Sequence, residues 1–230
     1  MIGILVELVL SWLLLRLVAS RSLAALGLWP DKVRGLELIA GMLMAGLVCA
    51  AYHAAMYLAG NGWALNPAYT AAAFARSSFW VLKSVLYETL IFQGALLYLA
   101  VQRLGTAKAC LLSAACFGVY HWFSYGAFGN PVQMAFIFFM TAITGLMYAQ
   151  AFAQTGSLYL PIGLHFGWNL THIVVFSAGP LGPQLLVPAN QHRLQDMLSL
   201  VVFLFQVLAL PAIAYLYLKR RRQPLAPRAA

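Results

Sequence analysis

Seven long apolar stretches, at roughly 2–18, 36–59, 77–102, 107–126, 131–154, 158–177 and 197–218, alternate along the chain with short polar connections. Each approaches the ~20 apolar residues a helix needs to cross the hydrocarbon of a bilayer, so each predicts one membrane-spanning helix. The connections carry turn chemistry: Trp29-Pro30-Asp31, Asn61-Gly62 with Asn66-Pro67, Gly105, Gly129-Asn130-Pro131 and Gly156-Ser157. The longest runs from Ser177 to Asp196 and holds Gly179-Pro180, Gly182-Pro183 and Pro188. Segments 60–76 and 178–196 have the composition of plain loops. No heptads or internal repeats interrupt the pattern. The expectation is an all-α polytopic membrane bundle of about seven transmembrane helices, one domain over 1–230. Its motif-bearing core lies at 77–177, with 1–59 and 197–218 as additional spans.

Composition strengthens this reading. The 230 residues are 63% hydrophobic and 8% charged, with a mean hydropathy of +0.83, against about 45–50% and 25% in soluble domains. The formal charge of +9 does not imply a nucleic-acid partner, because the basic residues are dispersed around the apolar segments apart from Lys219-Arg220-Arg221-Arg222. Such residues report topology and contact with anionic lipid headgroups. With the C-terminus cytoplasmic and the N-terminus outside, the inner segments hold eleven basic residues: Arg16, Arg21, Lys32, Arg34, Arg103, Lys108, Arg228 and the four of the terminal run. The outer segments hold only Arg76 and Arg193. The first span has its arginines after it, which suits a retained helix and not a cleaved signal. An Ala/Leu/Arg-rich composition points to a bacterial cytoplasmic (inner) membrane. Cys49, Cys110 and Cys116 have no metal-type spacing and read as small buried hydrophobes.

Within this apolar background the ionisable residues become informative. Glu88 is the only carboxylate between Glu37 and Asp196 and falls inside the third stretch; His121 and His165 fall in the fourth and sixth. A charge at membrane depth costs ~2.5–3.5 kcal/mol on insertion scales, so these positions are functional candidates. Offsets of four and seven place His165, Asn169 and His172 on one helical face. A carboxylate in apolar surroundings is a competent base toward water, and imidazole or amide N–H groups can hold an oxyanion. Together these groups suit hydrolysis of a peptide bond. Glu88, His121 and His165 also match the three protein ligands of a hydrolytic zinc site. Ligation would leave no second carboxylate as base, so chemistry without a cofactor is expected, with zinc as the alternative.

Three motifs occur in order: Glu88 within Tyr87–Gly94, FxxxH at Phe117–His121, and HxxxN at His165–Asn169. Around them stand Leu96-Leu97, Ser113, and Thr155-Gly156-Ser157-Leu158 with Pro161-Ile162. This arrangement over about 77–177 resembles the CPBP family, the CAAX-protease and bacteriocin-processing (ABI) family. The resemblance implies an intramembrane endopeptidase of the glutamic type, with Glu88 as general base and His121 sharing the attacking water. His165 and Asn169 would stabilise the oxyanion, with Thr89, Gln93, Phe117 and His172 supporting them. The partners implied are membrane-embedded or lipid-anchored proteins: prenylated tails, leader-bearing peptides or C-terminal sorting segments. The family's EExxxR pattern is altered, since Thr89 and Gln93 replace its second glutamate and its arginine. A neutral hydrogen-bonding pair in place of an ion pair is expected there, because one surviving charge would be left unpaired. Two rivals stand beside this reading. One is a catalytically silent relative acting by binding, as an immunity or scaffold protein. The other is a proton-coupled transporter, which the lack of an inverted repeat disfavours. Among the remaining ionisable residues, His53 reads as a packed core histidine and His192 beside Arg193 as solvated. Glu7 and Lys83 are expected to snorkel or pair locally.

Overall fold

The computed structural model describes residues 2–190 and 194–221, so the sequence readings of His192, Arg193, Arg222 and Arg228 lie outside the described residues. The chain forms α1 (Ile2–Ala19), a 3₁₀ turn (Leu23–Leu26), α2 (Lys32–Leu58), β1 (Trp63–Leu65), α3 (Ala71–Gln93) and α4 (Ala95–Leu104). It continues through α5 (Thr106–Ser124), α6 (Pro131–Thr155), α7 (Tyr159–Asn169), a π-helical turn (Leu170–Val175), β2 (Leu186–Pro188) and α8 (Asp196–Arg220). Polar caps start several helices. Asp31 accepts from the Arg34 N–H, Thr70 from that of Ala73, and Asn130 from that of Gln133 with Pro131 in the first turn.

Five helical stretches are long and apolar enough to cross a membrane: Ile2–Ala19, Lys32–Leu58, Ala71–Leu104, Pro131–Thr155 and Asp196–Arg220. The two expected spans outside this set contain α5 and α7, which hold His121 and His165. Polar residues lower the apolar character of α5, and α7 gives way to the π turn after eleven residues. Large apolar side chains such as Leu5, Val9, Leu43, Leu47, Phe139 and Leu208 point outward, the surface lipid would cover. Cys49 and Cys110 are buried as expected; Cys116 is exposed on the outer side of α5, which corrects its reading as a buried residue.

The closest backbone approach is between α2 and α7. A Cβ on Gly163 would lie 2.3 Å from the Leu38 carbonyl oxygen, and one on Gly167 would lie 2.4 Å from that of Met42. A Cβ on Gly41 would meet the Leu164 nitrogen at 2.8 Å. Gly163 and Gly167 therefore form a small-xxx-small face that lets the two backbones touch. A second close fit joins α5 to α6, where a Cβ on Gly145 would fall 2.9 Å from the Phe117 ring. Turn contacts fix the start of α7, because the Leu158 N–H donates to the Leu26 carbonyl and the Ser157 hydroxyl to that of Gly27.

The connections after α2 and after the π turn are built and not plain loops, a correction to the sequence reading. β1 and β2 pair antiparallel, Trp63 opposite Pro188 and Leu65 opposite Leu186. Gln184 is buried and accepts from the Tyr69 and Ser77 hydroxyls at 3.0 and 2.6 Å, tying its connection to the start of α3.

The glycine contacts predict an asymmetric response to added methyl groups. Gly167→Ala should destabilise the protein in detergent unfolding titrations by about 1–3 kcal/mol through overpacking. Gly35→Ala, also in α2 but with nothing within 4 Å of its Cβ position, should stabilise it by about 0.5–1 kcal/mol. Equal responses at both positions would contradict close α2–α7 contact.

Candidate active site

Glu88 lies in α3, six residues before the break at Gly94, where a Cβ would stand 2.2 Å from the Leu90 carbonyl oxygen. The break frees carbonyls at the end of α3, and the Ser113 hydroxyl of α5 donates to that of Phe92 at 2.7 Å. Thus α3 and α5 are joined one turn beyond the carboxylate. α7, held against α2 by its glycine face, carries His165 nearly opposite that face.

These elements bring three side chains together. Glu88 Oε2 is 3.9 Å from His121 Nε2 and 3.8 Å from His165 Nε2, and all three side chains are at most 14% exposed. Both separations exceed a direct hydrogen bond. An oxygen about 2.8 Å from Glu88 Oε2 and from either Nε2 would bridge that pair.

Hydrogen-bond partners assign the tautomers. His121 Nδ1 donates to the Phe117 carbonyl at 2.8 Å, so in the neutral ring Nε2 presents a lone pair toward Glu88. His165 Nδ1 is buried with no partner among the described residues. A buried orphan N–H is rarer than an unsatisfied acceptor, which places the His165 proton on Nε2, facing Glu88. The two imidazoles therefore present opposite hydrogen-bonding character to the carboxylate.

Aromatic and hydroxyl groups complete the setting. Phe117 lies against His121 at 4.4 Å between ring centroids, and Tyr148 of α6 stacks on His165 at 4.8 Å and 21°. Ser84 donates to Glu88 Oε1 at 3.4 Å. Ser84 also lines a groove of about 280 Å³ with Gly3, Ile4, Trp80, Lys83 and Tyr87, between α1 and α3. Ser84 and Tyr148 were missed by sequence reasoning. The offset of four from Ser84 to Glu88 was a usable signal for the first; nothing local marks the second.

The chain was compared with known proteins. Residues 70–171 match the family described as type II CAAX prenyl endopeptidase Rce1-like. This stretch is similar to Rce1-like domains over less than half of the chain. The match supports CPBP membership and, in general terms, a CAAX-type intramembrane endopeptidase. No curated protein and no solved structure matches the chain.

The matched stretch runs from the cap of α3 into the π turn, so it contains Glu88, His121, His165 and Asn169. Asn169 stands one turn after His165 on the same face of α7, with no side-chain hydrogen bond among the described residues. Three expectations are corrected. His172 does not share that face, because the π turn from Leu170 changes the helical phase and directs it to His53, at 3.1 Å. Thr89 and Gln93 do not hydrogen-bond each other: both are buried, and the Thr89 hydroxyl and both Gln93 amide atoms lack partners among the described residues. Neutrality alone then makes the joint change tolerable, since it leaves no unpaired charge. Glu7 neither snorkels nor pairs, because both its carboxylate oxygens are buried without partners among the described residues. Lys83 does find a local partner, its Nζ lying 5.2 Å from the Phe79 ring centroid.

The orphaned amide of Gln93 gives a specific expectation. Gln93→Leu removes a buried unsatisfied group that costs about 1–3 kcal/mol. Unfolding titrations should show unchanged or increased stability, whereas a loss above about 1 kcal/mol would reveal partners for Gln93 that the fold does not supply.

Proposed function

We propose that this protein is a glutamic-type intramembrane endopeptidase acting on membrane-embedded or lipid-anchored protein substrates. The observation that carries the proposal is the placement of the Glu88 carboxylate between two imidazoles, 3.9 and 3.8 Å away. A water donating one hydrogen to Glu88 and the other to His121 Nε2 turns its lone pair toward a scissile carbonyl. Glu88 accepts the proton as the oxygen adds to the carbonyl carbon. The His165 Nε2–H donates to the developing oxyanion, with the Asn169 amide as a second donor on the same face. Glu88 then returns the proton to the leaving amine as the C–N bond breaks.

We take this chemistry to proceed without a metal, because ligation of Glu88 would leave no second carboxylate at this depth to act as base.

The groove between α1 and α3 offers a lateral route from lipid to Ser84 and Glu88. Substrates are leader-bearing peptides or C-terminal sorting segments, with prenylated tails the least favoured class for a bacterial cytoplasmic membrane, and the C-terminus of the enzyme is cytoplasmic.

Purified protein in liposomes, offered one lipid-anchored or membrane-embedded peptide from each class, provides the test. Wild type should cleave at least one. His165→Ala should lower that rate by about 10²–10³-fold, and His121→Ala by about 10²-fold or more. Cleavage at the wild-type rate in either variant would overturn the assigned roles.

A further inference from the structure

A second cluster of chemically capable side chains lies outside the Glu88 site. Cys49 and His53 are four residues apart in α2 and share a face; His172 reaches them from the π turn. One ligand atom from each residue lies within 4.8 Å of the other two. His53 Nε2 and His172 Nδ1 are 3.1 Å apart, close to the ~3.3 Å edge that metal–nitrogen bonds of about 2.0–2.1 Å give at tetrahedral angles.

The surroundings are those of a closed site. Cys49 is fully buried and His53 is 3% exposed. Phe176 stacks on the His53 ring at 3.9 Å and 7°, and Trp63 of β1 meets it edge-on at 5.2 Å. Tyr52 and Trp168 lie about 6 Å from the His172 ring. The β1–β2 ribbon carries Trp63 over one side. The π turn that brings in His172 is a rare local geometry, frequent at functional sites.

We propose that Cys49, His53 and His172 form a thiolate–bis-imidazole site for a soft d10 cation, copper(I) or zinc(II). Thiolate and imidazole donors are the ligand types these ions prefer. Binding exchanges the hydrogen bond between the imidazoles for two nitrogen–metal bonds, and the proton of that bond moves to the other nitrogen of the ring that carried it. The Cys49 thiol proton leaves to buffer as the sulfur–metal bond forms. Charge ranks the two ions: one thiolate with copper(I) is neutral, whereas zinc(II) leaves a net positive charge in an apolar interior, which costs energy. The bound ion would pin α2 to the chain just beyond α7, seven residues from His165. It is a clamp separate from the peptidase chemistry.

The test uses the full chain purified in detergent, stripped with chelator and titrated anaerobically with copper(I) or zinc(II), with retained metal measured by elemental analysis. Wild type should retain about one equivalent per chain, with X-ray absorption showing one sulfur and nitrogen donors. Cys49→Ala and His172→Gln should each weaken binding by roughly tenfold to a hundredfold or more. Cys110→Ala, at a buried cysteine elsewhere, should leave binding unchanged, as should Glu88→Gln. Failure of wild type to retain either metal would overturn the proposal, as would unaltered retention in both Cys49→Ala and His172→Gln. Loss of the metal in Glu88→Gln with retention in Cys49→Ala would overturn it too, and would move the ion to the Glu88 site. Failure of the peptidase assay would leave the metal titration untouched, so the two readings fail separately.

Discussion

Backbone contact between α2 and α7 is the constraint on which the rest of the structure depends. Gly163 and Gly167 stand where any side chain would collide with the Leu38 and Met42 carbonyls, and Gly41 returns the close fit from α2. Helices in lipid gain little from hydrophobic association with one another, so van der Waals contact between bare backbones is a main source of affinity. That contact fixes the rotation of α7 and sends His165, nearly opposite the glycines, toward α3 and α5. Phe117 seats against Gly145 of α6 in the same manner and brings His121 to the other side of Glu88.

The polar centre held in this way is sparse. Among the described residues Glu88 is hydrogen-bonded by one hydroxyl, that of Ser84, and flanked by two imidazoles, while the second glutamate and the arginine of the EExxxR pattern are replaced in α3 by Thr89 and Gln93. Thr89 and Gln93 fill that space without charge and without hydrogen bonds among the described residues. A neutral orphan costs about 1–3 kcal/mol; a buried charge that has lost its partner costs about 3–5 kcal/mol. This difference accounts for the joint loss of both ionic groups where the loss of one would be far more disruptive.

Much of this was legible in the sequence. Apolar run length located most of the helices, because the bilayer sets that length, but the 77–102 run begins inside α3 and passes over the break at Gly94, and the 158–177 run passes over the end of α7 at Asn169. The isolated Glu88, FxxxH and HxxxN motifs located the side chains that the fold gathers, because ionisable groups stand out against hydrocarbon. What stayed hidden was the consequence of local irregularity. A constant helical period placed His172 beside His165 and Asn169, and the π turn from Leu170 breaks that period. The ribbon of Trp63–Leu65 with Leu186–Pro188 pairs segments far apart in sequence, each too short to carry an alternating pattern. Thr89 and Gln93 have the right offset for a bond, but offset fixes a shared face and not where the side chains end.

The most direct test of the central claim is a comparison of membrane-protein termini by mass spectrometry in cells making wild-type protein or Glu88→Gln at equal abundance. Hydrolysis by a Glu88-activated water predicts that a defined set of new N- and C-termini disappears in the variant, with the uncleaved precursors accumulating in their place. An identical set of termini in both strains would contradict it and leave the protein as a membrane component that acts by binding.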